Sequence, residues 1–437
     1  MSSWITRFVR SPLVARLVKV GFVAAAMAHG YIVAFHRSFV FRDFDIHREV
    51  GKRFLSGEYL YANDFCYAYL PVAAMYFAPL ALLDRSLGMA LRYGVAIGCL
   101  ALTIALFHRM LAAGGTQRQD DGYVLGGAAI VLVLQFILQD FDDGGPHLIL
   151  LGILTGGMYA IWVGRERLGA ALLGLGIVLK ITPALFVLLL LWKRQWRVAG
   201  YTVVATLFWV VLPILYMGPT NWWTHHVEWT NNAVLSVLNR HVDVRQVNEQ
   251  RIRNQALRPT LLRYLVTYPE THQMRRDDAA YTAVLDLPPP LANACVAAAV
   301  LVLFTLFGWS ASRAYASTRD RAWPRECAAV LVLALLLSPM TWQQHLTWLV
   351  PAVFVVLVSA WRTGGLRPTE WGMLGGYILL TMVLNYEVLG KARFLVLLSY
   401  HPSGVAMILL FGLVVSRLCI ERERILACDS PAGEKVS

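Results

Sequence analysis

Two aspartates lie two positions apart in the polar stretch that follows the first hydrophobic segment, at Asp43 and Asp45. Residues with this spacing point in different directions on a helix, so one faces a site while the other faces solvent or a cation. A carboxylate at the lip of an apolar cavity can act as a general base toward a hydroxyl. A solvated cluster of charges beside a membrane explains the same residues equally well.

A lysine, Lys180, stands near Pro183 in the middle of the hydrophobic segment 168–192. A lysine inside a membrane is costly and usually faces the interior of the helix bundle with a partner. A phosphate or a carboxylate would be a suitable partner. A structural lysine that extends its ammonium group to the interface is an equally good interpretation.

Further candidate residues follow in two later segments. His345 is the only side chain between Cys327 and Trp361 that can carry charge near neutral pH, and a histidine at a helix start can hold or shuttle a proton. The arginine fork suits phosphate oxygens, although arginines on a long loop are more often solvated. The arginines of the long polar stretch that surround residues 254–257 are Arg245, Arg251, Arg253, Arg258 and Arg263.

Other chemistry finds little support in the sequence. The acidic cluster of Asp140, Asp142 and Asp143 lacks the alternating ligands of a calcium loop, so a turn at a helix end is favoured over a metal site. Neither a phosphate-binding glycine loop nor a GxSxG elbow is present. The sequence therefore requires neither a metal nor another cofactor, although it leaves metal dependence open.

The elements that position these residues are hydrophobic helices. The chain has 437 residues, 57% hydrophobic and 15% charged, whereas soluble domains are roughly 45–50% apolar and about 25% charged. Its long uncharged runs suit helices that cross a hydrocarbon layer about 30 Å thick, and they exclude a soluble fold or a β-barrel. The twelve candidate segments are 14–35, 69–83, 87–108, 122–139, 145–163, 168–192, 197–216, 290–312, 326–341, 344–361, 371–387 and 401–417.

Basic residues cluster at the ends of these segments and predict the orientation of the chain. Cytoplasmic loops are enriched in lysine and arginine, so both termini are expected in the cytoplasm of a multi-pass protein of the plasma membrane. Segments 69–83 and 168–192 either cross or re-enter the membrane. The chain is then one membrane domain, with outer loops at 36–66 and 219–289 and a cytoplasmic tail at 420–437.

The positive charge and the cysteines carry no separate function. The net charge of +12 is explained by the helix flanks, and no basic stripe is interleaved with aromatics, so nucleic-acid binding is not expected. The six cysteines have no metal-site or disulfide spacing.

Several short motifs resemble, in order, those of the polyprenol-phosphate-sugar-dependent glycosyltransferases of family 87, in the GT-C superfamily. The resembling stretches are 43–44, 57–61, 69–71, 79–81, 180–184, 254–257 and 338–345. The sequence departs from the family pattern at three places. Residues 144–147 read Gly-Gly-Pro-His instead of Gly-Gln-x-Asn, Gln344 replaces the first of two histidines, and His47 stands where an aromatic is usual.

The resemblance implies an all-α GT-C-type bundle of about ten to twelve transmembrane helices with outer-face loops. It also implies an inverting transfer of a sugar, expected to be mannose, from a polyprenyl phosphate to a lipid or glycan acceptor outside the membrane. Asp43 is the expected general base, with Asp45 beside it. The residues expected to bind the donor phosphate or the substrates are Lys180, His345, Arg263, Asn254, Tyr69 and Glu58.

A second hypothesis belongs to another class of protein. A transporter or flippase of a lipid-linked or polysaccharide precursor would use the same cavity and basic residues. It would not need a carboxylate at the outer mouth. The sugar, the acceptor, the linkage and the oligomeric state are left open by the sequence.

Overall fold

The computed structural model describes residues 7–36, 43–61, 69–112, 119–235, 252–267, 280, 282–312, 315 and 319–429. Within these ranges the protein is all-α, and helices follow one another in chain order. Arg245, Arg251, Cys66 and parts of the two expected outer loops lie outside these ranges.

The α-helices are numbered here in chain order. Those of the first half are α1 (Pro12–Tyr31), α2 (Asp43–Ser56), α3 (Pro71–Ala81), α4 (Arg85–Ala112), α5 (Gln119–Asp143), α6 (His147–Trp162), α7 (Glu166–Leu179), α8 (Leu185–Trp192), α9 (Trp196–Val211) and α10 (Ile214–Trp229). Those of the second half are α11 (Leu257–Leu265), α12 (Pro289–Ser310), α13 (Trp323–Leu336), α14 (Val350–Thr363), α15 (Pro368–Ile378), α16 (Tyr386–Leu398) and α17 (Pro402–Asp429).

The helices have the length and apolar character of a multi-pass membrane protein. Six of the described helices are long and apolar enough to cross a membrane, and two bent pairs raise this number to eight. Three further apolar helices, at Pro71–Ala81, His147–Trp162 and Thr182–Trp192, are shorter. These short helices belong to segments that the sequence counted among its twelve candidates.

Helix α13 forms the centre of the bundle, because all of its residues are buried. It packs against α14 and α17, while α6 lies between α4 and α7. The surface of the bundle is apolar as well. On α1, Leu13, Leu17 and Met27 are more than half exposed, as expected for side chains that face lipid.

The expected interruption of segment 168–192 is present. Helix α7 ends at Leu179, Lys180 has an extended backbone, and a short 3₁₀ turn at Thr182–Ala184 leads into α8. Proline lacks a backbone N–H and disfavours helical geometry in the residue before it, which accounts for the break before Pro183.

Both expected outer loops and the expected cytoplasmic tail contain helices. Within 36–66, α2 spans Asp43–Ser56. Within 219–289, α10 extends to Trp229 after an 86° bend between α9 and α10, and α11 follows at Leu257–Leu265. Beyond residue 420, α17 continues as a helix to Asp429.

Candidate active site

Asp43 and Asp45 open helix α2 and point to different partners, as their spacing predicts. A carboxylate oxygen of Asp43 accepts a hydrogen bond of 3.4 Å from the side-chain amide of Gln344. Asp45 forms a two-pronged ion pair with Arg85, at 2.8 and 2.9 Å. Asp43 therefore faces the interior of the bundle, while Asp45 is held by a cation.

His47 occupies the position of an aromatic residue in the packing of α2. Its ring is buried and stacks on Phe77 of α3, with 4.0 Å between centroids and 12° between planes. Burial, and then the charge of Arg92, lowers the pKa of His47 from 6.5 to about 3. His47 is therefore a neutral ring at physiological pH.

Tyr69 lies beside the same face of α2. Its ring makes an edge contact with His47, with 5.6 Å between centroids. Tyr69, which lies just before the start of α3, therefore packs on the buried ring of His47.

A buried ion pair connects α4 to the end of α5. The Arg92 guanidinium lies 2.9 Å from a carboxylate oxygen of Asp140 and also donates to the carbonyl oxygens of Asp140 and Gly145. The sequence favoured a simple helix-end turn for the cluster around Asp140. The turn is present, but Asp140 is also a buried partner of Arg92, which no local pattern indicates because the two residues are 48 positions apart.

The turn after Asp140 depends on two glycines. Gly144 has a φ of +70°, and a Cβ at this position would lie 2.4 Å from the Cβ of Phe44. A Cβ on Gly145 would lie 2.9 Å from an Asp140 oxygen and 3.0 Å from the His147 ring. These glycines allow the turn to approach α2 and α6 closely.

Two histidines from distant segments meet at this turn. The rings of His147 and His345 have centroids 4.1 Å apart, and Trp348 donates to the backbone carbonyl of His147 at 3.1 Å. The Nδ1 atom of His345 accepts a hydrogen bond from the Trp342 N–H. When the His345 ring is neutral, its proton is therefore on Nε2.

Lys180 reaches the same place from the break between α7 and α8. Its ammonium nitrogen lies 5.4 Å from the centre of the Trp348 ring, and the charges of Asp140 and Asp43 act on it. No described side chain accepts a hydrogen bond from Lys180. This ammonium group is therefore available to a ligand.

Asn254 links two of the sequence motifs. Its side chain donates to the Pro339 carbonyl at 2.9 Å and accepts from the Thr341 N–H at 2.9 Å, and the Gln255 N–H donates to the Thr341 carbonyl at 2.7 Å. The contacts of Asn254 fix the loop that leads into Gln344 and His345.

Arg263 and Glu58 lie in other surroundings. Arg263 is buried and donates to the backbone carbonyls of Ser399 and Ala280, at 3.0 and 2.9 Å. Glu58 is exposed and accepts a hydrogen bond from Ser56 at the end of α2. Of the predicted residues, the structure therefore brings together Asp43, Tyr69, Lys180 and His345, with Asn254 supporting the loop of His345.

The sequence missed Arg92, His147 and Gln344 as members of this group. Gln344 and His147 lie in stretches that were compared with family 87 motifs, and this was the only signal for either residue. Arg92 had no such signal. Among the described residues, no group of three or more histidines, cysteines and acidic residues is arranged to hold a metal ion.

An apolar cleft of about 560 Å³ opens beside Lys180. It lies between the break of α7, helix α9 and the end of α13, and its lining includes Ile181, Thr182, Leu207 and Pro339. The cleft adjoins both the Lys180 motif and the loop before His345, so an apolar chain in it would end near the polar cluster.

Comparison with known proteins identifies the family. Residues 67–339 match glycosyltransferase family 87. The chain belongs to glycosyltransferase family 87. The matched segment contains Lys180, Asn254 and Arg263, while Asp43 and His345 are joined to it by the contacts described above. This family 87 protein is a membrane glycosyltransferase, which favours the enzyme over the transporter hypothesis.

The glycosyltransferase is similar to curated mycobacterial enzymes. It is 25% identical, over 73% of its length and 70% of the relative, to a polyprenol-phosphate-mannose-dependent α-(1-2)-phosphatidylinositol mannoside mannosyltransferase of Mycolicibacterium smegmatis. It is 26% identical, over 83% of its length and 81% of the relative, to the Mycobacterium tuberculosis protein of the same name. No solved structure shows a significant match.

Proposed function

We propose that this glycosyltransferase transfers mannose from a polyprenyl phosphate to a hydroxyl of a glycolipid on the outer face of the plasma membrane. The similar mycobacterial proteins are named for a polyprenol-phosphate-mannose donor and a phosphatidylinositol mannoside acceptor. The observation that carries the proposal is the convergence of three distant segments on one region. Asp43 contacts Gln344, the residue before His345, and the charge of Lys180 interacts with both Asp43 and His345.

The proposed reaction is an inverting displacement at the anomeric carbon. Asp43 removes the proton of the acceptor hydroxyl as its oxygen bonds to the anomeric carbon, and the bond from that carbon to the phosphate oxygen breaks. The electron pair of that bond leaves with polyprenyl phosphate, which is a good leaving group. One general base is therefore sufficient, and no cofactor takes part in the proposed steps.

Lys180 and His345 are proposed to hold the donor phosphate. A charge-assisted hydrogen bond to phosphate is roughly twice as strong as a neutral one, and Lys180 has no hydrogen-bond acceptor among the described residues. The buried Thr182 hydroxyl also has no partner among those residues. Donors that face developing negative charge stabilise the transition state.

The apolar cleft is proposed to hold the polyprenyl tail of the donor. Its lining residues Ile181, Leu188 and Leu207 are more than half exposed, as expected for a groove that is open to lipid. Thr182 and Pro339 line the cleft and belong to the two motifs that carry Lys180 and His345. The cleft is therefore next to both motifs.

The distribution of charge supports an outer-face site. Helix α6 begins at His147 in the site and, at 1.5 Å per residue, ends roughly 24 Å away at Trp162, over which Arg319 lies. Basic residues at that distant end include Arg165, Arg319 and Arg321. Because lysine and arginine mark the cytoplasmic side, the site is proposed to face outward, with both chain termini inside.

The proposal is tested by an assay of the purified full-length protein in nanodiscs. The donor is polyprenyl phosphate carrying radiolabelled mannose, and the acceptor is phosphatidylinositol mannoside or a lipid extract of the source cell. We expect a labelled glycolipid and released polyprenyl phosphate. Absence of transfer in this assay, together with movement of the labelled donor between leaflets when the same protein is placed in vesicles, would overturn the proposal.

A further inference from the structure

Five buried polar atoms beside the proposed site have no hydrogen-bond partner among the described residues. They are Nε and Nη1 of Arg92, both ring nitrogens of His147 and Oδ1 of Asp140. Buried polar groups are hydrogen-bonded in the great majority of cases, so such a concentration indicates that something else binds there. Arg92 and His147 are almost completely buried, at 3% and 1% exposure.

These atoms belong to one small region. The Arg92 guanidinium donates a hydrogen bond to the carbonyl oxygen of Gly145. A Cβ on Gly145 would lie only 3.0 Å from the His147 ring. A Cβ at Gly145 would also lie 2.9 Å from Asp140 Oδ1. The side chains of Arg92, Asp140 and His147 therefore converge on the backbone of this one glycine.

The charge and the hydrogen-bond donors of this region differ from those of the residues proposed to bind the donor phosphate. The charge of Arg92 is already balanced by Asp140 at 2.9 Å, whereas Lys180 has no hydrogen-bond acceptor among the described residues. The free N–H groups of Arg92 are donors, and a neutral imidazole is both a donor and an acceptor. A neutral ligand that accepts and donates hydrogen bonds, such as a sugar with vicinal hydroxyls, fits this set.

The position of this region is between the two reacting partners of the proposed transfer. The His147 ring contacts His345 on the phosphate side, at 4.1 Å, and Arg92 acts on His47, one turn along α2 from Asp43. The transferred sugar lies between leaving phosphate and general base. We propose that Arg92 and His147 bind hydroxyl groups of the transferred sugar, an assignment that rests on the proposed function.

Binding measurements with two ligands test this assignment. The full-length protein in nanodiscs is titrated with polyprenyl-phosphate mannose and, separately, with polyprenyl phosphate, which lacks the sugar. His147→Phe keeps the ring and removes both nitrogens. Since a neutral hydrogen bond contributes about 0.5–1.5 kcal/mol, we expect roughly 2- to 10-fold weaker binding of the sugar-bearing lipid and unchanged binding of polyprenyl phosphate.

Two further variants exclude a structural explanation. His147→Asn retains a donor and an acceptor and should restore part of the preference for the sugar-bearing lipid. His108→Gln changes another histidine with a buried ring nitrogen that lacks a partner among the described residues, far from the site, and should leave both affinities unchanged. Thermal unfolding of each variant shows that the protein is folded.

The outcomes separate this assignment from the proposed function. Equal weakening of both ligands in His147→Phe would assign His147 to the phosphate, and no change would leave it without a ligand; either result overturns the assignment. An increase in the KM of the acceptor alone would also overturn it, because the hydroxyls would then belong to the acceptor. If the wild-type protein fails to bind polyprenyl-phosphate mannose at all, the proposed function itself is wrong.

Discussion

The side-chain amide of Gln344 lies 3.4 Å from a carboxylate oxygen of Asp43, although the two residues are 301 positions apart. Gln344 is held by the loop that Asn254 fixes through Pro339 and Thr341. Asp43 is therefore positioned by contacts that connect α2 to the second half of the chain. Helix α2 must approach the rest of the bundle closely for this contact to form.

The close approach of α2 predicts different consequences for two glycines with similar backbones. Gly144 and Gly57 have φ values of +70° and +72°, but only at Gly144 would a Cβ meet a neighbour, Phe44. Each substitution by alanine carries a backbone cost of about 1–2 kcal/mol. Gly144→Ala should also displace Phe44 and the adjacent Asp43, and so reduce kcat.

The measurement is the Tm and kcat of both alanine variants. We expect both to lose stability, and Gly144→Ala alone to lose at least about 10-fold in kcat. Equal activity of the two variants would show that Phe44 and Asp43 do not depend on the turn at Gly144.

The buried ring of His47 predicts a pH dependence of stability. Its pKa is about 3 in the folded protein and 6.5 without burial, so the unfolded chain binds a proton first as the pH falls. The contribution of His47 is complete above pH 6.5 and is lost progressively between pH 6.5 and pH 3. His47→Phe keeps the stacked ring and removes the titration.

Thermal unfolding in detergent between pH 7.5 and pH 5 tests this difference. The wild-type protein should lose more Tm over this range than His47→Phe, because the other histidines are common to both. Parallel curves would show that His47 is not a buried neutral ring.

The proposed phosphate-binding residues predict a specific effect on the donor. A hydrogen bond to a charged group contributes about 1.5–3 kcal/mol, so Lys180→Met should raise the KM of the donor by roughly 10- to 150-fold. His345→Ala should raise it less, since a neutral imidazole donates a single hydrogen bond to the phosphate and supplies no positive charge. The KM of the acceptor should change little in either variant.

Arg263 provides the comparison for these two variants. It already donates to the carbonyls of Ser399 and Ala280, so Arg263→Gln is expected to lower the Tm and to leave the donor KM unchanged. A raised donor KM at unchanged Tm would place Arg263 at the phosphate, as the sequence predicted. An unchanged donor KM in both Lys180→Met and His345→Ala would contradict the phosphate site.

The orientation of the chain is tested by cysteine labelling of intact cells. All six native cysteines are replaced, and single cysteines are placed at Arg253, beside Asn254, and at Arg194, in the basic cluster after α8; both positions are exposed. A membrane-impermeant reagent should label Arg253→Cys in intact cells and Arg194→Cys only after permeabilisation. The opposite pattern would place the site in the cytoplasm.

The helical architecture and the break at Lys180 could be predicted from the sequence because both depend on local properties. Uncharged runs of about twenty residues form membrane helices, and the lysine with Pro183 marks an interruption. The different directions of Asp43 and Asp45 follow from their spacing alone. Local patterns were therefore sufficient for these features.

The composition of the site could not be predicted, because it depends on contacts between distant segments. Arg92 pairs with Asp140, which is 48 positions away in the sequence, and Asp45 pairs with Arg85, which is 40 positions away. His147 belongs to a turn with no distinctive spacing and acquires its surroundings only when α6 packs beside the loop of His345. Arg263 carries the charge expected of a phosphate ligand, but α11 places it against Ser399.

The most direct test of the account compares Asp43→Asn with Asp45→Asn in transfer of mannose from polyprenyl phosphate. Asparagine keeps the shape of the side chain and removes the proton acceptor. Asp43→Asn should fold, bind the donor normally and lose about 10²–10⁴-fold in kcat, while Asp45→Asn, whose partner is Arg85, should lose less than about 10-fold. Near-normal turnover in Asp43→Asn, or a larger loss in Asp45→Asn, would contradict the assignment of Asp43 as the general base.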